Sequence, residues 1–249
     1  MSDEPPVLYE PGEVTRLTFN RPRVKNALDS ASWALFGDGL ERFAEDDDAR
    51  VLVLSGAGGE FSSGADLSGN INASADQVTA KMREIASIIV RLHTMPKPTL
   101  ARVDGVAAGV GMSLALGCDL VLASERARFG AVFSRVGLSP DGGLSWLLPR
   151  LVGPHKAKEL TLLGRIVDAP EAAALGLANL VVPAPDLDAT VTDWTTRLAA
   201  LSPAAASGTL SVLDASWTAS FPESLEHEAT AQQHAVAALR ARNATAGAP

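Results

Sequence analysis

The chain has 249 residues, of which 47% are hydrophobic and 20% charged, enough apolar material for one large domain or for a domain with an appendage. Its net charge of −8 argues against nucleic acid and against an anionic membrane as the main partner, because both are bound through a basic face. The single cysteine, Cys118, excludes an internal disulfide, and the opening MSDEPPVLYE lacks the basic and apolar regions of a secretion signal. We therefore expect a cytoplasmic protein with no nucleic-acid partner and no membrane partner.

Strand and helix patterns alternate through the first part of the chain. In chain order, the apolar spacing predicts strands over 14–20, 49–56, 99–105, 118–124 and 127–130, and helices over 31–47, 77–95 and 108–117. Asp29 or Ser30 is the expected N-cap of the first helix, and Pro96 ends the second. Alternation at this pitch predicts an α/β core with crossover connections.

Beyond Pro140 the chain becomes helical. Segments with helical spacing, separated by Gly or Pro, are predicted over 141–153, 155–164, 169–178, 187–201 and 223–242. We expect an α/β core over residues 1–185 and a helical C-terminal part over residues 186–249, with a frayed tail over 243–249.

Three familiar motifs are present only in incomplete form. GVAAGVG (105–111) has the glycine spacing of a dinucleotide-binding turn, but it follows the third predicted strand, and the only tyrosine, Tyr9, is not part of a Tyr-x-x-x-Lys pair. GMSLA (111–115) is one residue short of a nucleophile elbow, and no histidine lies in a recognisable partner motif. HEATAQQH (227–234) has Ala231 where a second zinc ligand would be needed. The sequence therefore predicts no metal site.

Two glycine-rich segments follow predicted strands, FSSGADL (61–67) and GVAAGVGMSL (105–114). Small residues at a strand exit let the backbone approach a ligand and leave N–H groups free to bind it. The second segment also opens a helix, whose N-terminus carries partial positive charge. Two convergent N–H donors suit a developing oxyanion and hence carbonyl chemistry. The alternative is that both are close-packed turns without a ligand.

Several segments together resemble the crotonase superfamily, the enoyl-CoA hydratase/isomerase family. They occur in its order and spacing over about residues 13–183, and they are RPRVKNALD, FSSGADL, DGVAAGVGMSLALGCDL, RFGAVFSRVGLSPDGGLSWLLPRLVG and GRIVDAPEAAALGLANLVVP. The resemblance implies an α/β, crotonase-like spiral of β-β-α turns with a helical C-terminal oligomerisation part. It also implies a homotrimer, or a hexamer built as a dimer of trimers, and an acyl-CoA thioester substrate. No cofactor is expected, because coenzyme A is part of that substrate.

The resemblance also implies roles for individual residues. The N–H groups of Ala65 and Val110 match the oxyanion hole that holds the thioester oxygen. The residues expected to contact substrate are Arg23, Val24, Ala27, Ser63, Asp66, Leu67 and Phe133. Arg23 and Lys25 form a local cationic patch suited to phosphates, or alternatively are solvated loop charges. For Asp66 we expect bracing of its loop rather than chemistry.

The acidic residues decide which reaction is expected. Hydration of a 2-enoyl-CoA needs two carboxylates, and the family's hydratases carry glutamates at the positions matching Ser113 and Phe133, neither of which is acidic here. LSPDGGLSWLLPR instead resembles the ring-epoxide and enoyl isomerases of aromatic-acid degradation, in which an aspartate after the proline moves the proton. Asp141 is thus the expected acid/base of an enoyl-CoA isomerase. A hydratase of low activity and a non-catalytic acyl-CoA binding protein remain alternatives.

Two roles are predicted for Asp141 from its surroundings in the sequence. As a base it needs a pKa above the ordinary aspartate value, and we expect Phe133, Val136 and Trp146 to provide apolar surroundings that raise it. Its position also suits a helix N-cap for GGLSWLLPR.

Overall fold

The structure is a computed structural model that describes residues 4–69 and 74–246. Within these residues the strands are β1 (Val7–Glu10), β2 (Val14–Phe19), β3 (Val51–Gly56), β4 (Thr99–Val103), β5 (Val106–Ala108), β6 (Leu120–Ser124), β7 (Arg128–Gly130), β8 (Ile166–Asp168) and β9 (Leu180–Val182). The larger sheet has the order β1-β2-β3-β4-β6-β9, and the smaller has the order β5-β7-β8. The β1–β2 and β7–β8 pairs are antiparallel and the other pairs are parallel.

Helices connect and cover these sheets. They are α1 (Ser30–Glu45), α2 (Ala75–His93), α3 (Val110–Gly117), α4 (Leu144–Val152), α5 (Pro154–Leu162), α6 (Ala169–Ala174), α7 (Leu187–Ala199), α8 (Pro203–Ser216) and α9 (Phe221–Ala246). Of the two predicted caps for α1, the structure selects Asp29, whose side chain accepts a hydrogen bond from the Ser32 N–H at 2.8 Å. Short 3₁₀ turns are present at Pro22–Val24 and Val132–Val136.

The larger sheet is buried on both faces. Successive residues of β3 point to opposite sides, so that Leu52 and Leu54 join the main core while Val53 joins a second cluster. Helix α7 covers this second face through Leu187 and Val191, which are fully buried or nearly so. The predicted α/β class is therefore observed. The boundary proposed at residue 185 stays a prediction, although α7, beyond it, packs on the sheet.

Several elements differ from expectation. Residues 106–108 form β5, where a glycine-rich exit was predicted, because they pair with β7 across the smaller sheet. The prediction of a frayed tail is wrong for residues 243–246, because α9 continues to Ala246. The rest of that tail, 247–249, lies outside the described residues. Helix α8 was not predicted, although Ser202 caps it and Pro203 occupies its first turn.

The C-terminal helices form a hairpin in which α9 packs chiefly against α8. An aromatic stack ties α8 to the rest of the fold: the rings of Trp217 and Trp146 lie 5.1 Å apart, and the Arg150 guanidinium lies 4.1 Å from the Trp146 ring. No single helix in the described part of the chain is long and apolar enough to cross a membrane. Only when the helical segments 184–199 and 203–216 are taken together do they reach the length and apolar composition of a membrane span, and these two segments are bent by 102° relative to each other.

Candidate active site

The two predicted glycine-rich segments lie side by side. The Ser62 N–H donates to the Val106 carbonyl at 2.8 Å, and the Ala108 N–H donates to the Ser62 carbonyl at 2.9 Å. Gly64 has φ +101°, and a side-chain carbon there would lie 2.8 Å from the Ala108 oxygen and 3.4 Å from the Val110 nitrogen. Only glycine therefore fits where the loop after β3 approaches the start of α3.

Two backbone donors are left unused at this junction. Neither the Ala65 N–H nor the Val110 N–H donates a hydrogen bond within residues 4–69 and 74–246. Val110 is the first residue of α3, where an N–H has no partner inside the helix and lies at the positive end of the helix dipole. Two such N–H groups beside one cavity are the arrangement that a carbonyl oxygen gaining negative charge requires.

A pocket of about 110 Å³ opens beside these donors. Its lining residues are Ser63, Ala65, Leu67, Gly109, Val110, Val132, Phe133, Val136, Leu138 and Asp141. Among the described residues that line it, Asp141 is the one with an ionisable side chain, and the rest of their surface is mostly apolar. The pocket therefore brings together Ala65, Val110 and Asp141, which were predicted as catalytic residues from separate parts of the sequence.

Asp141 is a partly buried carboxyl in apolar surroundings. Burial raises its pKa from 3.8 to about 6, and its Oδ1 atom is buried without a hydrogen-bond partner among the described residues. The alternative role as a helix cap is wrong. Helix α4 begins at Leu144 with Gly143 as its N-cap and no side-chain cap, and Asp141 contributes only its backbone carbonyl, 3.1 Å from the Leu144 nitrogen.

The apolar residues expected around Asp141 are only partly those observed. Phe133, which is 5% exposed, and Val136 both line the pocket. Trp146 is not among the lining residues, and its ring packs against Trp217 and lies 5.4 Å from the His93 ring. Val132 and Leu138 were not predicted and take part in the lining instead. They lie on the 3₁₀ turn and in the loop after it, which sequence periodicity does not reveal.

The segment at 21–27 is held in place by the side chain of Asn26. This residue is 1% exposed and has φ +56°, and its amide donates to the Ala57 carbonyl at 2.9 Å and to the Glu60 carbonyl at 2.7 Å. Its Oδ1 accepts from the Arg21 N–H at 2.9 Å. The Ala27 carbonyl, in turn, accepts from the Arg21 guanidinium at 2.6 Å. A buried amide with three bonds fixes the path of this exposed segment.

The two predicted cations of this segment differ. The Arg23 side chain is exposed and has no ion-pair or hydrogen-bond partner in the described part of the chain. Together with Val24 it lines a surface groove of about 490 Å³. Lys25, by contrast, forms an ion pair with Glu60 at 2.9 Å. Arg23 is therefore the cation of this pair that is available to an anionic ligand.

The loop residues around the pocket mouth have distinct surroundings. Asp66 accepts hydrogen bonds from the Ser68 N–H and hydroxyl and pairs with Arg21 at 2.9 Å, and these interactions, the Ser68 bonds first, lower its pKa to about 2. Asp66 thus braces the loop and does not line the pocket. Ser63 donates from its hydroxyl to the Val24 carbonyl at 3.2 Å, and Leu67 is 50% exposed at the pocket edge.

Nothing in the described residues resembles a metal centre. Within residues 4–69 and 74–246, no three His, Cys, Asp or Glu side chains come together as a metal ion would require. His227 and His234 both lie on α9 and are exposed, as side chains of a surface helix are.

The family model of enoyl-CoA hydratase/isomerase matches residues 10–246. The chain belongs to the enoyl-CoA hydratase/isomerase family. Among curated relatives, it is 38% identical over 190 residues to a 1,2-epoxyphenylacetyl-CoA isomerase of Escherichia coli (strain K12), covering 75% of this chain and 71% of that one. It is 36% identical over 197 residues to a probable enoyl-CoA hydratase of Rhodobacter capsulatus, covering 79% and 75%. The predicted family resemblance is thereby confirmed.

Solved structures of the family share the fold. An enoyl-CoA hydratase from Bacillus anthracis superposes with a TM-score of 0.88 at 28% identity, covering 93% of this chain and 91% of that one. The predicted crotonase-like α/β fold with a helical C-terminal region is confirmed by this match. This family member is an enzyme of the hydratase/isomerase group, and its relatives carry names of both kinds.

Proposed function

We propose that this enzyme shifts a double bond of an enoyl-CoA thioester, with Asp141 as the acid/base and the Ala65 and Val110 N–H groups as the oxyanion hole. The observation that carries the proposal is the Asp141 carboxyl, which is buried with an unpaired oxygen in a pocket whose other lining residues, within 4–69 and 74–246, are not ionisable. The E. coli relative, named a 1,2-epoxyphenylacetyl-CoA isomerase, supports isomerisation of a CoA thioester, although its named substrate is an epoxide.

One carboxylate suffices for this chemistry. Asp141 removes a proton from C2 or C4 of the thioester, the resulting dienolate is held by the two N–H donors, and the same carboxyl returns the proton two carbons away. Each such donor is worth about 3 kcal/mol of transition-state stabilisation. A base with a pKa of about 6 is mostly ionised at neutral pH and still holds a proton long enough to return it.

Binding of the coenzyme A part is assigned to the exposed segment at 23–27. Arg23 provides a free cation for a phosphate, and Val24 and Ala27 provide the surface beside it. A local cation matters because the chain as a whole has a net charge of −8, which disfavours an anionic ligand elsewhere. Coenzyme A is part of the substrate in this proposal, and no separate cofactor is required. The proposed assembly is a homotrimer or a hexamer.

Hydration is the competing reaction, favoured by the name of the R. capsulatus relative. It needs a second acid to position and activate water. Ser113 and Phe133 stand where the family resemblance implies glutamates, and Asp141 is the only acid among the pocket-lining residues that the structure describes. This composition favours isomerisation over hydration.

The decisive experiment mixes the enzyme with a 3-enoyl-CoA and with a 2-enoyl-CoA, and follows conjugation by ultraviolet absorbance and products by mass. We expect conjugation to appear without a change in mass, and kcat/KM to rise with pH through about 6 as Asp141 loses its proton. Asp141→Asn should lower kcat by about 10²- to 10⁴-fold while the Kd for the CoA ester stays the same. Asp193→Asn, on the exposed face of α7, is the matched control and should retain full turnover.

Other outcomes reject the proposal in different ways. A gain of one water from the 2-enoyl ester would identify a hydratase. Tight binding of both esters without turnover would identify an acyl-CoA binding protein. Full activity of Asp141→Asn would move the proton transfer to another group.

A further inference from the structure

A buried hydroxyl links helix α3 to the Asp141 backbone. Ser113 is fully buried, and its Oγ donates to the Asp141 carbonyl oxygen at 2.9 Å. The same Oγ lies 3.4 Å from the Gly109 carbonyl, the longer and weaker of the two contacts for a hydroxyl that has one proton to donate. The hydrogen bond therefore crosses from the helix that carries Val110 to the loop that carries Asp141.

This bond is the principal polar tie on that loop. The loop runs from Leu138, whose N–H donates to the Phe133 carbonyl, to Leu144. Within the described residues, positions 139–143 of this loop form one hydrogen bond with a group outside the loop and α4. That group is the Ser113 hydroxyl. The loop is otherwise open, since Val136 and Leu138 are 56% and 50% exposed. Losing the hydroxyl would leave this stretch held mainly by packing.

Packing at the next residue brings the loop against the same helix. Gly142 has φ +64°, and a side-chain carbon there would lie 2.7 Å from the Ser113 Cβ and 2.8 Å from the Val110 Cγ2. Only a glycine allows the backbone to come this close to α3. The turn therefore lies directly against Ser113 and Val110 of α3, beside the hydrogen bond from the Ser113 hydroxyl to the Asp141 carbonyl.

We propose that Ser113 is a positioning residue for Asp141, whose carbonyl it fixes against α3 so that the carboxyl remains inside the apolar pocket. This assignment rests on the proposed function of Asp141. Ser113 would then have a structural role at a position where the family resemblance implies a catalytic glutamate in hydratases. When the hydroxyl is absent, the turn relaxes, and the carboxyl reaches solvent, where its pKa returns toward the ordinary aspartate value.

The test is a carbon NMR titration of the Asp141 carboxyl, assigned with Asp141→Asn, in the wild type and in Ser113→Ala. We expect a pKa of about 6 in the wild type and a value lower by about one pH unit or more in Ser113→Ala. The acid limb of kcat/KM should move by the same amount. Thr195→Val removes another buried hydroxyl, which donates to the Val191 carbonyl at 2.8 Å on α7. This control should lose stability and keep the Asp141 pKa.

An unchanged Asp141 pKa in a folded Ser113→Ala protein would overturn the proposal. If that variant does not fold, Ser113→Cys keeps a small side chain with a weak S–H donor, and its Asp141 pKa should lie below the wild-type value of about 6 and above the ordinary 3.8. The titration needs no turnover. Failure of the wild type to isomerise any ester therefore rejects the proposed function, while the Ser113 contact is still judged by the pKa.

Discussion

At the scale of single residues, burial of the Asp141 carboxyl couples its protonation to the stability of the fold. Its pKa is raised from 3.8 to about 6 in the folded state by desolvation, so between these values the folded chain holds a proton that the unfolded chain has released. The contribution of Asp141 to the free energy of unfolding therefore decreases as pH rises through this window, and it stays low above about pH 6.

Asp141→Asn should remove this dependence. Above about pH 6 the variant should be more stable than the wild type by about 1–2 kcal/mol, a figure reduced for the partial exposure of the carboxyl, and near pH 4 the difference should vanish. Urea unfolding of both proteins at these two pH values measures it. Subtracting the free energy of unfolding of the wild type from that of the variant at each pH cancels the contributions of carboxyls with lowered pKa values, such as Asp66. A difference that does not change with pH would contradict a raised pKa at Asp141.

At the scale of elements, the proposed oxyanion hole depends on how closely the loop after β3 meets the start of α3. Gly64→Ala places a carbon 2.8 Å from the Ala108 oxygen at a φ of +101°, which must displace the loop and with it the Ala65 N–H. We expect kcat to fall by about 10²- to 10³-fold, with a lower Tm. Steady-state kinetics and thermal unfolding measure the two effects.

Gly117→Ala is the matched control for that substitution. Gly117 is a buried residue at the other end of α3, and a side-chain carbon there would meet only the Leu92 Cδ2 atom, at 3.8 Å. Because alanine is a better helix former than glycine by up to about 1 kcal/mol, this variant should keep its activity and its stability. Equal losses in both variants would show that the loss of activity does not depend on the close contact at Gly64, and the oxyanion-hole assignment would lose this support.

At the scale of the whole molecule, helix α9 leaves large apolar side chains unburied within one chain. Phe221 is 77% exposed, and Leu225, Val236 and Leu239 are 41–48% exposed. Since α9 packs chiefly against α8, the proposed trimer or hexamer would cover part of this surface. Light scattering should give three or six times the mass of the chain.

Phe221→Glu should lower the mass of the assembly measured by light scattering. The control Gln233→Glu adds the same charge at an exposed polar position of α9 and should leave this mass unchanged. A monomer at micromolar concentration for the wild type would refute the proposed assembly.

Local signals determined much of this protein from the sequence alone. A cap at Asp29 or Ser30 begins α1, alternation of apolar residues gives β2 and β3, and the glycine of FSSGADL marks the close approach at Gly64, because each of these effects acts within a few residues. The family also followed from motif order, and the roles proposed for Ala65, Val110 and Asp141 were expected from the same resemblance.

Only the tertiary structure decided what depends on distant partners. The short strands β5, β8 and β9 were not predicted, and they are stabilised by pairing with strands elsewhere in the chain. Likewise, the pocket that Asp141 lines is formed together with Phe133 and Val136 from other elements, and the hydrogen bond between its carbonyl and Ser113 joins residues 28 positions apart. Desolvation and cross-element contacts exist only after folding, and for this reason no local pattern encodes them.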